Sequence, residues 1–179
     1  EESIKLFLKS GAYYVPTLST VNGYLERIAA DPNAYAPAVR AKVDWRIRIT
    51  GESLRKAVPR GVKIAFGTDA GVSKHGRNGE EFALMVKHGM TPAQALQAAT
   101  VNAARFMGRW QDFGSVARGK SADLVVLEQN PLQDIRATQS IAAVICRGQF
   151  LDKAKLSDFL RGAEKRRAEP GASRRDIAY

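Results

Sequence analysis

Lys63-Ile-Ala-Phe-Gly-Thr-Asp-Ala-Gly71 is the stretch from which the rest of the chain is read. Ile64, Ala65 and Phe66 make a short apolar run between Gly61-Val62 and Gly67. A short apolar run bounded by turn residues fits a parallel strand covered on both faces. Asp69 falls where such a strand ends, and Gly71 lets the chain turn sharply behind it. In parallel α/β enzymes of the barrel type, chemistry collects at the carboxyl ends of the strands, which marks Asp69 for chemistry. Taken alone, an aspartate at a strand end is more often a turn or cap residue, so the surrounding sequence has to decide.

Upstream, residues 3–9 read as the end of an amphipathic helix, with Ile4, Leu6, Phe7 and Leu8 apolar and Gly11 as its stop. Residues 12–15 read as a strand that Pro16 ends. Tyr13 and Tyr14 alternate across it and so face opposite sides. Residues 17–20 form the loop beyond, and Pro32 and Pro37 flank another loop. From 38 to about 58 a helical pattern follows, with Val39, Val43, Ile47 and Leu54 on one broad face. Gly51 predicts a kink or break within it. Pro59 and Gly61 close it, and the strand leading to Asp69 comes next. Strands joined by a helical crossover pair in parallel, which makes this a slice of α/β architecture.

Downstream, a polar loop carrying Lys74, His75 and Arg77 runs to Gly79. Asn78 with Glu81 reads as a capping box opening a helix. Phe82, Met85 and Val86 give that helix its apolar face and Gly89 its stop. Thr91-Pro-Ala-Gln94 is a second start signal, with a Thr cap, Pro at the first helical position and Gln at the box position. Leu96, Ala99, Ala103, Phe106 and Met107 keep helical spacing as far as Gly108. Residues 114–116, 123–127 and 141–145 then read as strands. Gly119-Lys120 and Asn130-Pro131 mark turns, and Arg147-Gly148-Gln149 a tight turn into Phe150-Leu151. This is a small β module with no helix of its own. Asp123, at the start of a strand, reads as a residue that satisfies turn backbone. After Asp152 a charged helix is expected to run to Glu169, with Pro170-Gly171 breaking it and disorder beyond.

Several of these stretches recur together in one known family. Gly67-Thr-Asp-Ala-Gly71, His75-Gly-x-Asn78, Gly89-Met-Thr-Pro-x-x-Ala-Leu96, Ala99-Thr-x-Asn-Ala-Ala104 and Gly114-Ser-Val-x-x-Gly-Lys-x-Ala-Asp-Leu124, in that order, resemble the carboxyl-terminal part of the metal-dependent amidohydrolase superfamily. The imidazolonepropionase-like and Xaa-Pro dipeptidase-like branch is the most similar. Asn130-Pro-Leu132 and Val144-Ile-x-x-Gly148 continue the match, which covers most of residues 1–152. The resemblance implies a (β/α)8 TIM barrel, of which residues 1–108 supply the carboxyl-terminal part, about two strands with their helices. Residues 109–152 would be a share of a composite β-sandwich, and 153–179 a basic helical or disordered tail. It implies that Asp69 ligates a divalent metal, zinc by preference, and takes the proton of the attacking water. For His75 it suggests substrate contact, with an ordinary loop histidine as the alternative.

The chain has two histidines, His75 and His88, both after the aspartate. The family's His-x-His pair, bridging lysine and other histidines are absent, and one aspartate falls short of the ligands a catalytic zinc needs. His88, before the helix-ending Gly89, reads as a favourable charge at a helix carboxyl end. Lys74 and Arg77 are read as solvated loop charges, with capture of a substrate carboxylate as the alternative. A complete barrel takes about 250 residues, against 179 here. The expectation is therefore the carboxyl-terminal piece of a longer enzyme, inactive without the amino-terminal part of its barrel. Open strand edges invite association, so a homo-oligomer is among the expected partners.

Composition sets the outer limits. An apolar fraction of 45% suits a globular protein, and the net charge of +10 is unevenly spread. Arg161, Lys165, Arg166, Arg167, Arg174 and Arg175 crowd the tail. A solvated tail is preferred to nucleic-acid binding, since no binding motif or aromatic platform accompanies it. Cys146 lies in an apolar run and reads as a small core residue; Trp45 and Trp110 read as packing residues. No stretch reaches the length of a membrane-spanning helix. The chain opens without methionine or a secretory signal, so residue 1 is not taken as a natural start. The activity this predicts is hydrolysis of a carbon–nitrogen bond other than an internal peptide, in a dipeptide ending in proline or an N-acyl amino acid. A cyclic amide of the imidazolone type is the runner-up. The reading from another class is a non-catalytic fragment or a basic interaction module.

Overall fold

The computed structural model describes residues 1–168. The break expected at Pro170 and the disorder beyond it lie outside those residues. The chain opens with α1 (Glu2–Ser10), closed by Gly11 in the left-handed conformation. It then passes through β1 (Tyr13–Tyr14) and three helices, α2 (Thr20–Ala30), α3 (Pro37–Ile49) and α4 (Glu52–Ala57), to β2 (Lys63–Ile64). β1 and β2 pair in parallel, Tyr13 with Lys63 and Tyr14 with Ile64. Helix α2 occupies a stretch the sequence pattern left unassigned. The expected break in the long helix is real: Gly51 at φ 83° separates α3 from α4.

β2 is short because its backbone is taken over by a helix. Ala65 N–H still bonds to Tyr14 C=O at 3.1 Å, but Phe66 N–H bonds to Ala98 C=O at 3.0 Å. The Asn102 side chain caps Ile64 C=O at 2.9 Å. The covering segment is α6 (Pro92–Gln97), a π-helical turn over Ala98–Asn102 and α7 (Ala103–Phe106). Its start is the Thr91–Gln94 capping box, with both reciprocal bonds formed. The fully buried Ala95, Ala98 and Ala104 let this helix come close. The tyrosines diverge as alternation requires: Tyr14 meets Phe7 and Tyr13 meets Phe106.

The core gathers Leu18, Leu54, Val62, Ile64, Met85, Met90, Ala95, Ala98 and Ile135 from α4, β2, α5 (Glu80–Lys87), α6 and the segments between and beyond them. Beyond α7 comes a three-stranded antiparallel sheet, β3 (Leu124–Leu127), β4 (Ile141–Cys146) and β5 (Gln149–Asp152), in that order. Then α8 (Lys153–Ala168) follows. Residues 114–116 are not a strand. Gly114 lies so close to α7 and the π-helical turn that a Cβ there would stand 2.5 Å from Ala104 Cβ and 2.9 Å from Thr100 C=O. The β module also has a helix of its own, a 3-10 turn over Ile135–Gln139. Its Ile135 and Ala137 are buried because the turn packs on α5. Asp123 does satisfy turn backbone, accepting from Arg147 N–H at 2.7 Å and Ser121 Oγ at 2.6 Å.

Two packing expectations fail. Cys146 ends β4 in solvent. Trp45 is 53% exposed on α3, where Val39 also faces solvent. Trp110 is packed as expected, with Lys120 Nζ 3.3 Å from its ring centre and Arg105 on it as well.

Candidate active site at the end of the second strand

Residues 65–68 carry β2 on to Asp69, whose backbone is left-handed at φ 51°. Aspartate tolerates that region better than most side chains. Thr68 is buried and Asp69 exposed, so the strand backbone is anchored while the carboxyl stands in solvent beyond the parallel pair. Beyond the neighbouring strand, Thr17 is also left-handed, at φ 45°. For a β-branched residue this costs about 1–2 kcal/mol and persists only where the surroundings fix it.

Those surroundings centre on Glu81. Its side chain is fully buried, and its two oxygens accept from Leu18 N–H at 2.8 Å and Ser19 N–H at 2.7 Å. Burial pushes its carboxyl above the usual glutamate range, against the two amide bonds and the nearby Arg46 charge. Leaving both amides unpaired would cost about 1–3 kcal/mol each. Glu81 is therefore not a capping-box residue. Gly79 occupies the cap position of α5 with no side-chain cap, and Glu81 turns inward instead. The pattern carried a usable signal: Glu81 lies at i, i+4 spacing from Met85, on the apolar face of its helix. A carboxylate there needs partners.

The loop after Asp69 is pinned to α2. A Cβ on Gly23 would sit 2.1 Å from Val72 C=O, so the helix backbone touches the loop. Arg27 donates to the same carbonyl at 2.6 Å. Glu26 pairs with Lys74 at 3.1 Å and with Arg77, and Arg77 pairs in turn with Glu80. The Arg77 guanidinium and Lys74 ammonium hold the Glu26 carboxyl below the usual range. Lys74 and Arg77 are solvated loop charges, as read, and each also pairs with a carboxylate of the protein at the surface. His75 is exposed on this loop.

His88 lies elsewhere, 7% exposed at the end of α5. A Cβ on Gly51 would stand 1.9 Å from its Nδ1, so it packs into the α3–α4 break. Nδ1 is buried with no partner among the described residues. Burial, then the Arg55 and Lys87 charges, lowers its pKa below the ordinary 6.5. It is a neutral, enclosed imidazole at neutral pH, not a charge capping a helix. Among the described residues no three His, Cys, Asp or Glu side chains gather into a group able to hold a metal ion. A catalytic zinc takes three protein ligands, so these residues do not by themselves fit a metal centre. The chemistry open to Asp69 here is that of a solvent-facing carboxylate, accepting and releasing a proton.

The profile of the amidohydrolase family matches residues 1–151, well over half of the chain. This chain belongs to the amidohydrolase family. Ochratoxinase from Aspergillus niger is 33% identical over 146 residues, which cover 80% of this chain and 29% of that protein. Imidazolonepropionase from Flavobacterium psychrophilum is 31% identical over 93 residues, 50% of this chain and 23% of that one. Among solved structures, an Xaa-Pro dipeptidase with bound methionine in its active site superposes with a TM-score of 0.79 at 39% identity. The match covers 84% of this chain and 37% of that chain. This amidohydrolase chain therefore spans well under half the length of the proteins it matches. The Asp69 strand, the pinned loop, Glu81 and the helix from Thr91 all lie inside the family match.

Proposed function

We propose that this chain carries one side of the active site of a carbon–nitrogen hydrolase, with Asp69 as the proton-transfer group. The observation that carries the reading is Asp69 itself. It is exposed, has left-handed backbone and stands beyond a parallel strand pair next to the buried Thr68. Membership of a family whose matched relatives are hydrolases supports it. In this reading β1 and β2 are the last two strands of a (β/α)8 barrel built from residues 1–108, and β3 to β5 belong to a sandwich share over 109–152. A carboxylate so placed accepts a proton from the attacking water and returns it to the leaving nitrogen. His75, exposed on the pinned loop, is the candidate for substrate contact.

The favoured substrate class is a dipeptide ending in proline or an N-acyl amino acid, supported by the likeness to an Xaa-Pro dipeptidase. A cyclic amide of the imidazolone type is the second reading, supported by the match to imidazolonepropionase. The divalent metal that the family resemblance implies would need ligands besides Asp69, so no step is assigned to it. The test assays the protein produced from its complete gene on Xaa-Pro dipeptides, N-acyl amino acids and a cyclic imidazolone, alongside Asp69→Asn. Hydrolysis of one class, lowered about 10²–10⁴-fold in the variant, is expected. Turnover unaffected by the substitution, or none on any class, would end this reading.

A further inference from the structure

Thr17 and Asp69 hold left-handed backbone on turns that follow neighbouring parallel strands. One hydrogen bond joins the two turns: Ser19 Oγ donates to Thr68 C=O at 3.3 Å. Thr20 Oγ1 closes the first turn on Thr17 C=O at 2.9 Å. Glu81 holds that turn from within the protein, one carboxylate oxygen on Leu18 N–H and the other on Ser19 N–H. Its own helix is anchored by the fully buried Met85.

We propose that Glu81 is a positioning residue for the Asp69 carboxyl, acting through the Leu18–Ser19 turn and the Ser19–Thr68 hydrogen bond. The proposal rests on the reading of Asp69 as the proton-transfer group. The residue type argues for it. A position on the apolar face of α5 would be filled at less cost by a hydrocarbon side chain. Two adjacent amide donors demand something else, a side chain with two acceptor oxygens and no donor. The Glu81 carboxyl meets that demand with both of its oxygens, whereas glutamine would set an N–H₂ group against one of the two amides. The arrangement fixes a turn whose next link is Thr68, the residue that precedes Asp69. A misplacement of about 1 Å at a reacting group can cost 10²-fold in rate. Such a linkage is therefore large enough to matter without touching substrate.

The experiment compares Glu81→Gln with Ser19→Ala in the protein produced from its complete gene. Ser19→Ala removes the hydroxyl, which reaches Thr68 C=O and also lies against the Glu81 carboxyl, but leaves both amide bonds to Glu81 in place, so it keeps the test open should Glu81→Gln fail to fold. Two readouts are taken: kcat and KM on the substrate class the enzyme accepts, and amide hydrogen exchange without substrate. In both variants kcat is expected to fall about 10–100-fold with KM changed less than about threefold. Exchange is expected to accelerate over residues 67–70, and also at Leu18 and Ser19 in Glu81→Gln, while Ala95 and Ala98 keep their protection. Unchanged kcat, unchanged exchange over 67–70, or protection lost equally at Ala95 and Ala98 would each overturn the proposal. If the parent protein hydrolyses nothing, the functional reading falls separately. The linkage is then judged by exchange alone: acceleration confined to the two turns upholds it, and none refutes it.

Discussion

His88 is the side chain whose environment departs furthest from its position in the sequence. Beside a helix-ending glycine it reads as a useful positive charge, yet it is enclosed against Gly51, with Nδ1 unpartnered among the described residues and Arg55 and Lys87 nearby. Its folded pKa is lowered, so below the ordinary value of 6.5 the unfolded chain binds more protons than the folded one. Its contribution to stability is therefore complete above about pH 6.5 and is lost as the pH falls below it. Glu81 runs the other way. Its pKa is raised above 4.5, so its contribution is present below that value and lost as the pH rises through its folded value. Urea midpoints measured from about pH 7.5 to about pH 5 should drop more steeply in the parent than in His88→Leu, and equal slopes would refute the assignment. The same contrast explains what was legible at this scale. The strand end before Asp69 was readable because an apolar run and a glycine describe it directly. Glu81 and His88 were misread because each sits at a helix end, where a local role is always available. Their tertiary partners, the Leu18–Ser19 turn and Gly51, are distant in sequence.

At the scale of elements, the α3–α4 junction is the most sharply determined. Gly51 needs its left-handed φ of 83°, and its missing side chain leaves the space that His88 fills. Gly61 has a similar φ of 77°, with nothing within 4 Å of where a Cβ would stand. Gly61→Ala should therefore cost only the backbone strain of about 1–2 kcal/mol. Gly51→Ala adds displacement of a buried ring and should cost about 2–5 kcal/mol. Denaturant unfolding of the pair checks this, and equal losses would mean that the imidazole moves away freely. Elements with strong end signals were legible: Gly11 after α1, the Thr91 capping box of α6, the glycine break at 51. Those defined by partners were not. Helix α2 lacks a side-chain cap bond and earns its place by packing Gly23 on the Val72 carbonyl. Residues 114–116 have strand composition but pair with no strand among the described residues.

For the whole molecule, the order of motifs carried the family, and the backbone explains why that order is informative. Asn102 caps the strand that leads to Asp69, and Gly114 makes room for α7, so residues far apart in sequence serve one strand and its covering helix. Composition said less, because a net charge of +10 fits several classes of protein. It does bear on how copies of the chain meet. Val116 is 86% exposed, Leu6 and Phe150 also face solvent, and β1 pairs with β2 alone among the described strands. Apolar surface and an open strand edge favour association, while the net positive charge opposes it. Salt separates the two forces. Charge repulsion between copies is screened over about 10 Å at 0.1 M ionic strength and about 3 Å at 1 M, whereas apolar burial is not weakened. Light scattering of the 179-residue chain should therefore show its average mass rising between about 0.05 M and 0.5 M sodium chloride at fixed protein concentration. A mass that falls with salt would mean that ion pairs join the copies instead. One that stays monomeric throughout would mean that the strand edge and the apolar side chains are too dispersed to bind.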